Sequence, residues 1–113
     1  MIGRSHRFHG YGSLRAVYQR GQTVHGPALS LRVAQRPADK PYRVAIVVSK
    51  KVSKSAVVRN RIRRRIYEIV RQYEAVIPPG TDLVFTAFDE QLATLDAAKL
   101  AQAVQGLLRK ASR

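Results

Sequence analysis

Through the middle of the chain, apolar positions return every three or four residues: Val58, Ile62, Ile66, Ile69, Val70 and Tyr73. That recurrence predicts an amphipathic helix from about Ser55 to Glu74, capped by Ser53 or Ser55. AVIPPG (Ala75–Gly80) ends it, because two prolines cannot continue a helix. Elsewhere the period changes. Leu29, Leu31 and Val33 alternate with Ser30 and Arg32 between Ala28 and Ala34, as a half-buried strand requires. YRVAIVVS (Tyr42–Ser49) is a β-branched run of strand length and predicts a central strand. TDLVFTAF (Thr81–Phe88) predicts another strand, and a short extended piece is expected near Gln22–His25, broken by Gly26-Pro27. RPADKP (Arg36–Pro41) is a turn signal.

Two further helices complete the pattern. Ser13 can cap a short one with Leu14, Val17 and Tyr18 on one side, and Gly21 sits where it would end. Thr94 can cap the last, whose apolar stripe is Ala97, Leu100, Val104, Leu107 and Leu108. Residues 1–10 read as an irregular N-terminal segment. The predicted order is αβββαβα, a small α/β (α+β) two-layer sandwich with helices covering part of one sheet. The 113 residues suit a single domain, 1–113, and 45% hydrophobic content suffices for one core.

Charge changes the picture. The net charge is +14, and it is not spread evenly. Residues 1–71 hold 17 Lys and Arg against two acids, whereas residues 72–113 hold four against five. Charge serving solubility alone would be mixed, and self-repulsion on this scale opposes a compact state. A polyanionic partner offsets it most simply. Nucleic acid outranks a membrane surface, because the basic helix needs its apolar side for the core and leaves no free anchor. No apolar run approaches the ~20 residues that span a bilayer. MIGRSHRFHGYG, at the N-terminus, has no apolar run behind it, so no signal peptide is expected. The absence of Cys excludes disulfides and thiolate metal sites. The expectation is a soluble, cytoplasmic protein.

The charge concentrates on the long helix. Eight basic residues fall between Lys50 and Arg65 with no acid among them. The helix's apolar positions cover an arc of roughly 120°. Asn60, Arg64 and Arg71 lie nearly opposite it, Arg61, Arg65 and Glu68 beside them, and Arg59 and Arg63 at its border. Arg64 and Glu68 form the obvious i,i+4 ion pair. A solvated basic face is the plain alternative for any charge run. Here like charges at i,i+3 and i,i+4 oppose the helix, and cations crowd the wrong end of its dipole. Phosphate oxygens at the helix start convert both penalties into attraction. Arginine offers bidentate donors to phosphate, and Asn60 can bond a sugar or a base edge.

SKKVSKSAVVRNRIRRRIYE (Ser49–Glu68) resembles the signature of the bacterial ribonuclease P protein component. In that family a strand ends in Ser-Lys-Lys and a helix then carries Arg-Asn-Arg and further basic residues. Here these are Ser49, Lys50, Lys51, then Arg59, Asn60, Arg61, Arg63 and Arg64, with Lys54 and Arg65 in the same block. The resemblance extends over nearly the whole chain. It implies a fold like the second domain of ribosomal protein S5, with an unusual left-handed βαβ crossover that runs against the general preference. It also implies a division of labour in removing the 5′ leader from precursor tRNA. A partner ribonuclease P RNA holds the active site and its Mg²⁺ ions. The protein, a monomer within the complex, binds that RNA through the basic helix and holds the leader in a cleft between the first helix and the sheet. The cleft positions matching the family's pattern are Leu14, Tyr18 and Arg32. Two of the three lack the usual aromatic, and Phe8 or Tyr11 could supply a ring. Tyr18 can stack on a base, and Arg32 can stack or bind phosphate.

Chemistry within the chain itself is sparse. Cleavage of phosphodiesters by protein commonly uses clustered carboxylates around metal ions. The basic half offers only Asp39 and Glu68, while Asp89 and Glu90 lie far along the chain. His6 and His9 have no nearby acid, and Ser49, Ser53 and Ser55 have no general base near them. No catalytic residue and no metal site is expected here. A non-catalytic ribosomal or chaperone-like RNA-binding protein, and a DNA-binding architectural protein, remain competing readings.

Overall fold

A computed structural model describes residues 6, 8 and 11–111, and the side chains among these except at 11–13 and 20. The chain runs α1 (Tyr11–Arg20), β1 (Gln22–His25), β2 (Leu29–Gln35), β3 (Arg43–Val47), α2 (Ala56–Gln72), β4 (Thr81–Ala87) and α3 (Ala97–Ala111). Short 3-10 turns, Glu74–Val76 and Glu90–Ala93, follow α2 and β4. The predicted order of elements stands. Most of the expected irregular segment 1–10 lies outside the described residues.

The four strands form one sheet in the order β1-β2-β4-β3. β1 pairs with β2, and β2 with β4, antiparallel; β3 runs parallel to β4, and α2 is the crossover between them. β3 is therefore an edge strand, which corrects the expectation of a central one. Its residues are apolar on both sides because both sides are covered. Val44 and Ile46 enter the main core on the α2 side, while Ala45 and Val47 pack beside the α1 cluster. The central place belongs to β4, buried at every residue but Thr86.

Alternation divides the sheet cleanly. Leu29, Leu31, Leu83, Phe85, Val44 and Ile46 form the main core with Ile62, Ile66, Ile69 and Val70 of α2 and Leu100, Val104 and Leu107 of α3. On the opposite face, Val17 of α1 packs on Ala34 and Val84, with Phe8 and Leu14 against them. The two-layer expectation thus gains a partial third layer. The N-terminal helix has its own apolar stripe and needs a surface that α2 and α3 leave free.

Local signals mostly hold. Ser55 caps α2, its hydroxyl accepting the Val58 N–H at 3.3 Å, and Gly21 closes α1 by donating to Val17 O at 2.7 Å. Two capping expectations are corrected. α1 begins at Tyr11, so Ser13 lies inside it. α3 is capped by Asp96, whose carboxylate accepts the Ala98 N–H at 3.1 Å and the Lys99 N–H at 3.3 Å, while Thr94 closes the preceding 3-10 turn. A carboxylate also complements the positive end of the helix dipole, which a hydroxyl does not. After Pro78-Pro79, Gly80 turns into β4 at φ +78°, where an added Cβ would meet the Arg36 and Pro37 carbonyls at 2.6 Å.

One ion cluster is buried. The Asp82 carboxylate, 0% exposed, accepts from Arg36 Nε at 2.8 Å and from Arg43 Nε and Nη2 at 2.9 and 2.7 Å. Arg43 also stacks its guanidinium on the Phe8 ring, 4.6 Å from the centroid. Asp82 thereby joins the β2–β3 turn, the edge strand and the N-terminal segment. Removing one partner of a buried pair strands the other charges. Asp82→Ala is expected to lower stability by about 3 kcal/mol, read as a shifted urea midpoint at unchanged slope.

Candidate nucleic-acid interface

The basic residues are assembled by the β3–α2 connection. The parallel β3 ends, Val52 N–H closes a turn on Ser49 O at 3.1 Å, and Ser55 starts the helix six residues later. Lys50, Lys51 and Lys54 are exposed along this turn. The greasy side of α2 is fixed to the sheet, so the helix's opposite side faces solvent. Asn60, Arg61 and Arg64 are exposed there, and Arg59 and Arg63 are half-buried at its border, as the periodicity requires.

The arginines divide by partner. Arg61 and Arg64 have no hydrogen-bond or ion-pair partner among the described residues, and with Val57 they line a shallow hollow. Arg63 donates to Asn60 Oδ1, and Arg59 Nη1 donates to Ser53 O at 2.9 Å. Arg65 differs: Nη1 donates to Leu92 O at 2.6 Å and Nη2 to Leu95 O. It ties α2 to the 3-10 turn before α3. Its partners lie 27 and 30 residues away, so no local signal distinguishes it from its neighbours.

The expected Arg64–Glu68 pair is not formed. Glu68 pairs with Arg71 at 2.5 Å instead. The Arg71 hydrogen bond holds the Glu68 carboxyl below the usual carboxylate range. Arg64 is thereby left with its donors facing outward at the centre of the basic face.

The second region is the α1 side of the sheet. Leu14 is half-buried against the Val17 cluster, and Tyr18 is 46% exposed. Arg32 lies on this face, but its donors point to α1: Nε to Val17 O at 3.2 Å, Nη2 to Tyr18 O, and Nη1 to Thr23 Oγ1 at 2.6 Å. It closes the negative end of α1 and fixes the helix on the sheet. Phe8, which sequence reasoning could not place, lies on the same face against Val17 and under Arg43. The Tyr11 side chain lies outside those described. Among the described residues, no group of three His, Cys, Asp or Glu is placed to hold a metal ion.

A family model described as Ribonuclease P matches residues 2–112. The chain belongs to the ribonuclease P protein family. The ribonuclease P protein component of a Synechococcus species is 38% identical to it over 98% of this chain and 85% of that protein. The Brevibacillus brevis component is 42% identical over 74% of this chain and 66% of that protein. The fold agrees with that of the Staphylococcus aureus ribonuclease P protein, at a TM-score of 0.83, 21% identity and 96% coverage of both chains. The Thermotoga maritima protein superposes at a TM-score of 0.76 with 24% identity, over 87% of this chain and 92% of that one. Among these ribonuclease P proteins the shared fold persists at low identity.

The geometry separates two kinds of arginine. Arg65→Ala should cost about 2 kcal/mol of stability, since charge-assisted bonds to two carbonyls are lost. Arg61→Ala and Arg64→Ala should leave the unfolding midpoint nearly unchanged, as surface substitutions do. Urea denaturation of the three variants checks this ordering.

Proposed function

We propose that this chain is the protein subunit of ribonuclease P, the ribonucleoprotein endonuclease that removes the 5′ leader from precursor tRNA. The observation that carries the reading is the α2 face. Arg61 and Arg64, without a partner among the described residues, stand with Lys50, Lys51, Lys54, Arg59, Asn60 and Arg63 around them as a comb of donors on a chain of this family. That comb suits phosphate oxygens of the ribonuclease P RNA. Arg65 contributes charge there while holding the scaffold.

The catalytic centre belongs to the RNA, and so does the Mg²⁺ that cleavage requires. The described residues of this chain fit neither role, having no carboxylate cluster. The protein binds and positions. Leu14, Tyr18 and Arg32 form the leader cleft, with Arg32 acting through its hold on α1. Phe8 supplies aromatic surface that the family pattern places elsewhere. The subunit works in the cytoplasm, as a single 113-residue domain and a monomer within the complex. None of the described helices is long and apolar enough to cross a membrane. The β3–α2–β4 crossover is left-handed, as in the second domain of ribosomal protein S5; the family resemblance supports this. The ribosomal or chaperone-like alternative gains nothing from the family match.

Reconstitution tests the reading. With the cognate RNA and precursor tRNA at low Mg²⁺, the protein should raise the rate of 5′ leader cleavage; no increase would reject the assignment. Arg61→Ala and Arg64→Ala should each weaken RNA binding and flatten the log affinity–log salt slope by roughly 0.7–0.9. An unchanged slope in both variants would move the RNA surface elsewhere. Tyr18→Ala should impair use of leader-bearing substrate more than assembly with the RNA, and equal effects would remove it from the cleft.

A further inference from the structure

Arg64 borders two hollows. One is the shallow hollow it shares with Val57 and Arg61. The other is a groove of about 500 Å³ between α2 and α3, with Arg64, Glu68 and Gln72 on one side and Ala97 and Ala101 on the other. Its floor is apolar: Ile69 is 9% exposed and Leu100 1%.

The groove is open because α3 turns small side chains toward this side of α2. Ala97 and Ala101 are one helical turn apart, and a longer side chain at either would occupy the space. The walls are fixed. Arg65 bonds the Leu92 and Leu95 carbonyls just before α3, which holds the two helices in register.

Charge on the α2 wall is selective. Between Asp39 and Glu74 the chain has a single acid, Glu68, and it lies in this groove one turn beyond Arg64. The Arg71 hydrogen bond holds its carboxyl below the usual carboxylate range. An exposed pair of that kind contributes little to stability. A surface that met only phosphate would bind better without the carboxylate. Asp96, next to Ala97 in the chain, is engaged with the Ala98 and Lys99 N–H groups. Arg64, by contrast, has no partner among the described residues. A free guanidinium, an apolar trough and an ionised acceptor thus stand side by side. They match the parts of one unpaired nucleotide: its phosphate, its base faces and its exocyclic amine. An acidic peptide would answer Arg64 but would be repelled by Glu68.

We propose that the α2–α3 groove takes one unpaired adenine or cytosine of the ribonuclease P RNA, turned out of its strand, with its phosphate on Arg64 and its exocyclic amine donating to Glu68. The proposal rests on the α2 reading and deepens it: the helix holds a single extruded base as well as backbone phosphates.

The test uses the full chain and its cognate RNA. Ala101→Leu fills the groove without touching a charge. It should weaken RNA binding about tenfold, as the loss of one bound base would. The log affinity–log salt slope should stay that of the unsubstituted protein, because no phosphate contact is removed. The urea midpoint should not fall, since leucine suits a helix and covers apolar surface. Glu68→Gln supplies a sign. Removing an acid from a phosphate-only surface tightens binding, whereas losing the acceptor of a base amine weakens it, here by about fivefold. In dimethyl sulfate probing at saturating protein, one unpaired adenine or cytosine should be protected by the unsubstituted chain and reactive again with Ala101→Leu. Full affinity and an unchanged footprint for Ala101→Leu, or tighter binding by Glu68→Gln, would overturn the proposal. So would loss of self-association in Ala101→Leu without loss of RNA affinity, which would give the groove to a second copy of the chain. If the groove variants fail in these ways while Arg61→Ala and Arg64→Ala still flatten the salt slope, only the groove assignment falls. If the slope is unchanged as well, the α2 reading falls with it.

Discussion

A helix crowded with like charge persists here because its other side is anchored. Arg59 and Arg63, and Arg61 and Arg65, are i,i+4 cation pairs, each opposing the helix by about 0.2–0.5 kcal/mol. Against them stand Ile62, Ile66, Ile69 and Val70, all buried in the main core. Each such side chain contributes about 1.5–3 kcal/mol on burial. The apolar side therefore wins by a wide margin, and the chain can hold a row of guanidiniums at fixed spacing. Tertiary packing supplies what local propensity alone would not.

The same anchoring sorts the arginines by task. Arg65 bonds two carbonyls beyond β4 and Arg32 bonds the end of α1, while Arg36 and Arg43 enclose a buried carboxylate. Each of these connects elements far apart in sequence. Arg61 and Arg64 are left to face outward. High net charge thus serves two purposes in one small protein, stitching its own backbone together and meeting a polyanion.

The two surfaces meet at one end of the sheet. β3 and β4 are parallel, so their C-terminal ends lie side by side, and the lysine turn after β3 is brought next to the last residue of the β4 ladder. An antiparallel pair would have placed those ends on opposite sides of the molecule.

Periodicity and breakers alone determined the element order and the two-sidedness of α2, with its basic residues away from the core, because these depend on residues within a few positions of one another. The Ser-Lys-Lys and Arg-Asn-Arg spacing carried the family in the same way. Long-range geometry decided the rest. Apolarity on both faces looks the same in a central strand and in a covered edge strand, so only the register places β3 at the edge. Glu68 could reach Arg64 or Arg71 on one helix, and the fold chose Arg71. Whether a guanidinium faces RNA or its own chain depends on carbonyls tens of residues away, as for Arg65, and no local pattern encodes that distance.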